Sequence, residues 1–264
     1  MRPLLLVVLL ASPAFAREAE APAVAAPEIA VRKLEPGVFV VTQRRPFSAN
    51  ALLVEMGTSD LVLVDTLYTP AAMRELLAWI DKNLPKRRLL AVNTHFHSDR
   101  AGGNALLKEK KIPVYASDLT VKLMKSRGRA VMEGVAGAIA DEAARAAFLS
   151  APVVPAAGVF ALATGLKLTV GGEPFEVRFH GAGHTPDNVV VWFPARKLLY
   201  AGCLALSSDR VGNTSDADLK AWPKSVEALK AYGATRVIPG HGSSFEPAIL
   251  ERTVAALAKR SSAD

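Results

Sequence analysis

Apolar residues fall in short runs that alternate with turn residues and with stretches of helical spacing. Segments 38–41, 51–55 and 61–65 read as successive strands, the last two joined by Gly57-Thr58-Ser59-Asp60, a hairpin signal. Thr69-Pro70 opens a helix with Pro at its first position, running to about Asn83. A buried strand at 89–92, a His-rich loop, a helix over 104–111, a strand at 114–116 and a helix capped by Asp118 follow. Further on, strands are expected at 167–170, 175–179, 189–193, 198–202 and 236–239, with helices at 218–232 and 246–258. Both halves thus run strands first and then strands alternating with helices. That order fits an α/β fold of two mixed sheets covered outside by helices. The Ala-rich stretch 128–165 reads as an insertion of one or two helices and a linker.

The N-terminus departs from this pattern. Arg2 is followed by an apolar run, 4–10, too short to span a bilayer, and then by Ala14-Phe15-Ala16. Residues 1–16 are expected to be a secretory signal peptide cut after Ala16, with a buried N-terminal helix as the alternative. Residues 17–36 are read as a leader and 37–264 as one domain, placed by export in the periplasm, acting as a monomer and not bound to a membrane.

Export makes the cysteine count informative. Cys203 is the single cysteine, so no intramolecular disulfide can form. A lone exported thiol is either an inert buried residue or is held by a metal. The formal charge of +7, or +6 without Arg2, is scattered in runs such as Lys86-Arg87-Arg88. Such runs are solvated faces rather than a nucleic-acid footprint, although a mildly positive field attracts small anions.

The strongest chemical signal is Asn93-Thr94-His95-Phe96-His97-Ser98-Asp99-Arg100, directly after an apolar strand. In extended backbone His95, His97 and Asp99 point to one side. Gly102-Gly103 then permits a tight turn before the next helix. His184, Cys203 and His241 each sit on a loop at a strand end beside glycine, whereas His180 ends a strand and reads as a structural or rim residue. Six ligands exceed one tetrahedral zinc. They divide into three nitrogens and a carboxylate–thiolate–imidazole set, each leaving an open position, as hydrolysis of a carbonyl compound requires.

These motifs resemble subclass B1 of the metallo-β-lactamase superfamily, from about Gly37 to Leu257. The superfamily usually carries a second-metal histidine where this chain has Arg100, and its other hydrolases usually place a bridging Asp where this chain has Cys203. Arg100 with Cys203 is the B1 combination. The resemblance implies an αβ/βα four-layer sandwich and two Zn2+ ions per chain, one on His95, His97 and His184 and one on Asp99, Cys203 and His241. It implies hydrolysis of a small-molecule β-lactam by a metal-bound hydroxide oriented by Asp99, and hence antibiotic resistance. Asn213 matches the position assisting at the oxyanion, with a turn asparagine beside Gly212 as the alternative. Arg100 and Asp65 are implied to tune the thiolate ligand.

Two departures stand out. The family's usual lysine three residues after the cysteine is Leu206 here, and Arg210, Ser207 or Ser208 is expected to replace it, Arg210 first. The substrate-covering hairpin is shortened to Gln43-Arg44-Arg45-Pro46-Phe47-Ser48, where Phe47 is an apolar wall for substrate or ordinary core packing. Two other readings remain: a same-fold hydrolase of another ester, lactone or amide, and a periplasmic zinc store.

Overall fold

A strand with apolar residues on both faces needs cover on both faces. Residues 28–261 are described by a computed structural model. In it, β1 (Ile29–Glu35), β2 (Val38–Gln43), β3 (Ala49–Met56), β4 (Asp60–Val64), β5 (Arg88–Val92), β6 (Val114–Ser117) and β7 (Gly158–Phe160) form one sheet in chain order. Pairing is antiparallel through β4 and parallel from β4 to β7. The second sheet runs in the order β12 (Arg236–Pro239), β11 (Leu198–Gly202), β10 (Val189–Phe193), β9 (Glu173–Phe179) and β8 (Leu166–Val170). Only its β11–β12 pair is parallel.

Period-2 alternation sorts the strand residues between layers. Leu52, Val54, Val62 and Val64 meet Val177, Val191, Tyr200 and Ile238 between the sheets. Their alternates Ala51, Leu53, Leu61 and Leu63 face outward onto Met73, Leu76 and Ile80 of α1 (Pro70–Asn83) and Leu106 and Leu107 of α3 (Asn104–Glu109). On the far side Val190, Leu199 and Val237 pack on Trp222 and Val226 of α6 (Trp222–Ala228) and Ile249, Leu250 and Leu257 of α7 (Ile249–Ser261). The result is helix, sheet, sheet, helix: the four-layer sandwich expected.

Several boundaries differ from the sequence reading. β1 lies inside the segment read as a leader. It pairs with β2 from Ile29↔Gln43 to Glu35↔Val38, so the folded unit begins before residue 37. Its alternation is weak because it is an edge strand, and an edge is specified by its partner more than by its own pattern. The signal-peptide reading falls on residues outside those described. The helix expected at 218–232 begins at Trp222 and tightens into a 3-10 turn over Leu229–Tyr232, while Asp218 receives the N–H groups of Lys220 and Ala221. Ser117 rather than Asp118 caps α4 (Asp118–Ala136), accepting from the Thr120 N–H at 3.0 Å.

The insertion resolves into the second half of α4, α5 (Glu142–Ser150) and β7. Met132, Ala136 and Phe148 pack against Tyr68 and Ala49, which lays α4 beside the sheet edge where the His-rich loop emerges. Among the described residues no helix is long and apolar enough to cross a membrane.

Candidate metal centre

The ligand-type residues all sit where strands end. His95 and His97 follow β5, His184 lies between β9 and β10, Cys203 follows β11, and His241 follows β12. The two sheets are stitched together at this edge. The Asn50 N–H donates to Gly240 O at 2.8 Å, and the Val189 N–H to Thr94 O at 2.9 Å.

Two groups result. One ligand atom each from His95, His97 and His184 lies within 4.8 Å of the others, and the same holds for Asp99, Cys203 and His241. Asp99 therefore does not continue along the side shared by His95 and His97. The chain leaves extended geometry after β5 and enters a one-turn helix, α2 (Ser98–Ala101), which swings Asp99 to the second group. The glycines behind this helix serve close approach rather than a special φ. A Cβ on Gly102 or Gly103 would collide with the carbonyl of Tyr68 or Thr66.

The donors suit a divalent metal. Burial pushes His184 down to about 3, helped by the neighbouring His97, and the same causes hold His95 well below its ordinary value. Both rings are thus neutral, with lone pairs available. His95 Nε2 is buried with no hydrogen-bond partner among the described residues, as a metal-facing nitrogen is. Outer ring nitrogens are anchored elsewhere. His97 Nε2 meets Asp216 Oδ2 at 2.8 Å and His241 Nδ1 donates to Ser48 O at 2.6 Å, leaving His97 Nδ1 and His241 Nε2 facing inward. For Asp99, burial acts upward, but Arg100 and His241 outweigh it and keep the carboxyl well below the usual range.

Arg100 organises the second group. Its side chain is fully buried, donating through Nη1 to Asn50 O at 2.7 Å and Tyr200 Oη at 3.0 Å, and through Nη2 to Asp99 and to Gly240 O at 3.0 Å. Asp65 lies 3.4 Å from Nη1 and accepts from the Thr94 N–H at 2.8 Å and the Tyr200 hydroxyl at 2.8 Å. Burial still lifts its carboxyl to about 6 against those partners. A Cβ on Gly240 would lie 2.7 Å from Cys203 Sγ and 2.9 Å from Arg100 Nη2, so glycine there lets the guanidinium sit beside the sulfur. The expected Arg100–Asp65 pair is therefore present, joined by Tyr200 and Asn50, which the sequence reading did not single out.

Both groups open on one cavity of about 720 Å³. Phe47 lines it and is 46% exposed, a wall rather than core packing. Asn213 also lines it, and its side-chain oxygen closes a turn by accepting from the Ser215 N–H at 3.0 Å, so the turn role is real and its NH2 group remains as donor. Arg210 and Leu206 line it too, and Leu206 is partly buried against the outer core. His180 stays outside, bonded to Tyr232 Oη at 2.8 Å.

Asp216 and Arg127 escaped the sequence reading. Asp216 lies three residues after Asn213 in a loop that carries no ligand, and only the fold sets it against His97. We expect Asp216→Ala to weaken metal binding at the histidine group by about 10- to 100-fold, measured by competition with a chromophoric chelator. An unchanged affinity would show the contact to be incidental.

Comparison with known proteins places these features in a family. Residues 44–241 match the model of the metallo-beta-lactamase superfamily. A metallo-beta-lactamase type 2 of Bacillus cereus is 33% identical over 86% of this chain and 81% of its own length. One of Pseudomonas aeruginosa is 30% identical over 87% of this chain and 84% of its own length. The solved metallo-beta-lactamase of Pontibacter korlensis superposes with a TM-score of 0.73 at 31% identity, covering 87% of this chain and 99% of that one. With a matching fold, matching length and two converging ligand groups at the sheet edge, the chain belongs to the metallo-β-lactamase superfamily.

Proposed function

We propose that this chain is a β-lactamase of subclass B1, exported to the periplasm as a monomer, that uses two zinc ions to open β-lactam antibiotics and so confers resistance. The observation carrying this reading is Arg100 packed beside Cys203 and Asp99, in place of the histidine and bridging aspartate of the superfamily's other hydrolases. Within the subclass, 38–42 and the long region at 128–160 resemble most the São Paulo metallo-β-lactamase.

Zinc bound there supplies Lewis acidity and a water ionised near neutral pH. The residues do the rest. His95, His97 and His184 mark the end of the cavity that receives the lactam carbonyl, and Asp99, Cys203 and His241 the end that receives the ring nitrogen. Asn213 offers its amide N–H to the developing oxyanion. Asp99, kept ionised by Arg100, orients the attacking water by accepting a hydrogen bond from it. Phe47 shields one side from solvent. The ring carboxylate, bonded to the carbon next to nitrogen, reaches Arg210.

Turnover of a chromogenic cephalosporin by residues 17–264 tests this reading. Arg210→Ala is expected to raise KM about 10-fold or more with kcat little changed. An unchanged KM across several β-lactams would remove Arg210 from the role. Leu206 favours a second reading, hydrolysis of an ester, lactone or thioester without that carboxylate. Turnover of a lactone or thioester but not of the cephalosporin would establish it.

A further inference from the structure

Arg127 enters the cavity from α4 at the three-histidine end. Its Nη2 donates to Asp216 Oδ1, while the other oxygen of that carboxylate meets His97 Nε2. The guanidinium carbon sits 5.3 Å from the centre of the Phe96 ring. Held on one edge by a carboxylate and on one face by an aromatic ring, this group has already lost most of the rotamer freedom that a flexible cation surrenders on binding. Yet its side chain is 47% exposed, whereas that of Asp216 is 4% exposed. A guanidinium carries five N–H donors, and those not used by Asp216 are available to a second acceptor. Along the same helix Ala130, Val131, Gly134 and Val135 continue the cavity wall as an apolar strip. The other cation of the lining is Arg210, three residues after Ser207, which packs against Gly242, the residue after His241.

We propose that Arg127 selects β-lactams whose acyl side chain carries an anion, a carboxylate or sulfonate, next to an apolar ring. This inference rests on the substrate placement described above. With the lactam carbonyl at the histidine end, the acyl side chain on the adjacent carbon extends toward Arg127 and α4, and the ring carboxylate extends away from them. The anion meets the exposed edge of the guanidinium and the ring lies on the apolar strip. Asp216 keeps the guanidinium in place from its buried side.

The test compares benzylpenicillin with its α-carboxy derivative, which differ only by a carboxylate on the acyl side chain. The wild type is expected to show a KM about 10-fold lower for the carboxylated compound, as one charge-assisted contact provides. Arg127→Ala should abolish that preference, Arg127→Lys should restore part of it, and Arg210→Ala should raise KM for both compounds while keeping the preference. Persistence of the preference in Arg127→Ala overturns the proposal. So does an equal fall in kcat for both compounds with less zinc bound per chain, which would make Arg127 only a brace for Asp216 and His97. Should the wild type open neither compound, calorimetric binding of the two alkali-opened penicilloates reads the same selectivity. An Arg127-dependent preference then supports the anion site although the hydrolytic reading has failed, and equal binding overturns it.

Discussion

Arg100→Ala is expected to cost about 3–5 kcal/mol of folding stability, the range for breaking a buried ion pair from one side. No solvent reaches this guanidinium, and it serves Asn50 O, Tyr200, Asp65, Asp99 and Gly240 O at once. Alanine leaves two buried carboxylates facing each other's field without a cation, and an unpaired charge in the interior is worse than none. The sign of the pH dependence follows from Asp65. Its folded pKa, about 6, lies above the unfolded value, so its protonated form stabilises the fold in acid. That contribution is lost as pH rises through the folded value, which removal of Arg100 pushes higher still. The deficit of the variant relative to the parent therefore grows from acid toward neutral pH. Urea denaturation of metal-free protein at several pH values measures it. A loss under about 1 kcal/mol at neutral pH would mean that water or rearrangement replaces the guanidinium.

Zinc removal is the second large effect. The inward-facing nitrogens of the histidine group, one of them without a partner among the described residues, and the Asp99, Cys203 and His241 group are the atoms a bound metal would engage. Ligand bound to the native state alone at about 1,000 times its Kd stabilises by about 4 kcal/mol. For a domain of this size that corresponds to a fall in Tm of about 10 °C on chelation. We expect chelation to stop turnover as well, and added zinc to restore both. A zinc store predicts the Tm shift without turnover, so the two readouts together separate storage from catalysis.

Much of the fold was legible because burial imposes period. α1 announces itself by Thr69-Pro70, the cap and the first helical residue, and the Thr69 hydroxyl does accept from the Ala72 N–H at 3.1 Å. The inner strands, buried on both faces, read as apolar runs. At the edges of the first sheet β1 and β7 did not, since the buried positions of β1 do not alternate cleanly and three residues of β7 are too few to show a period. The insertion could be recognised by composition but not placed, since an Ala-rich helix does not encode which surface it covers. Only the packing of Met132, Ala136 and Phe148 on Tyr68 shows that it walls the cavity.

Taken by itself, the sequence determined which metal-binding residue types stand on loops at strand ends, their division by donor chemistry and the Arg100–Cys203 combination, because metal chemistry constrains residue identity and spacing within a few positions. The tertiary structure alone decided how Asp99 reaches its group, since the helical turn at Ser98 redirects it away from the side of His95 and His97 that extended backbone would give. It alone brought Asn50, Tyr200, Asp216 and Arg127 to the site from 50, 100, 119 and 89 residues away from their partners. Contacts at such separations leave no local signature, because any hydrogen-bonding side chain on the right strand or helix would satisfy the pattern, and only the packing of one sheet on the other selects which one does.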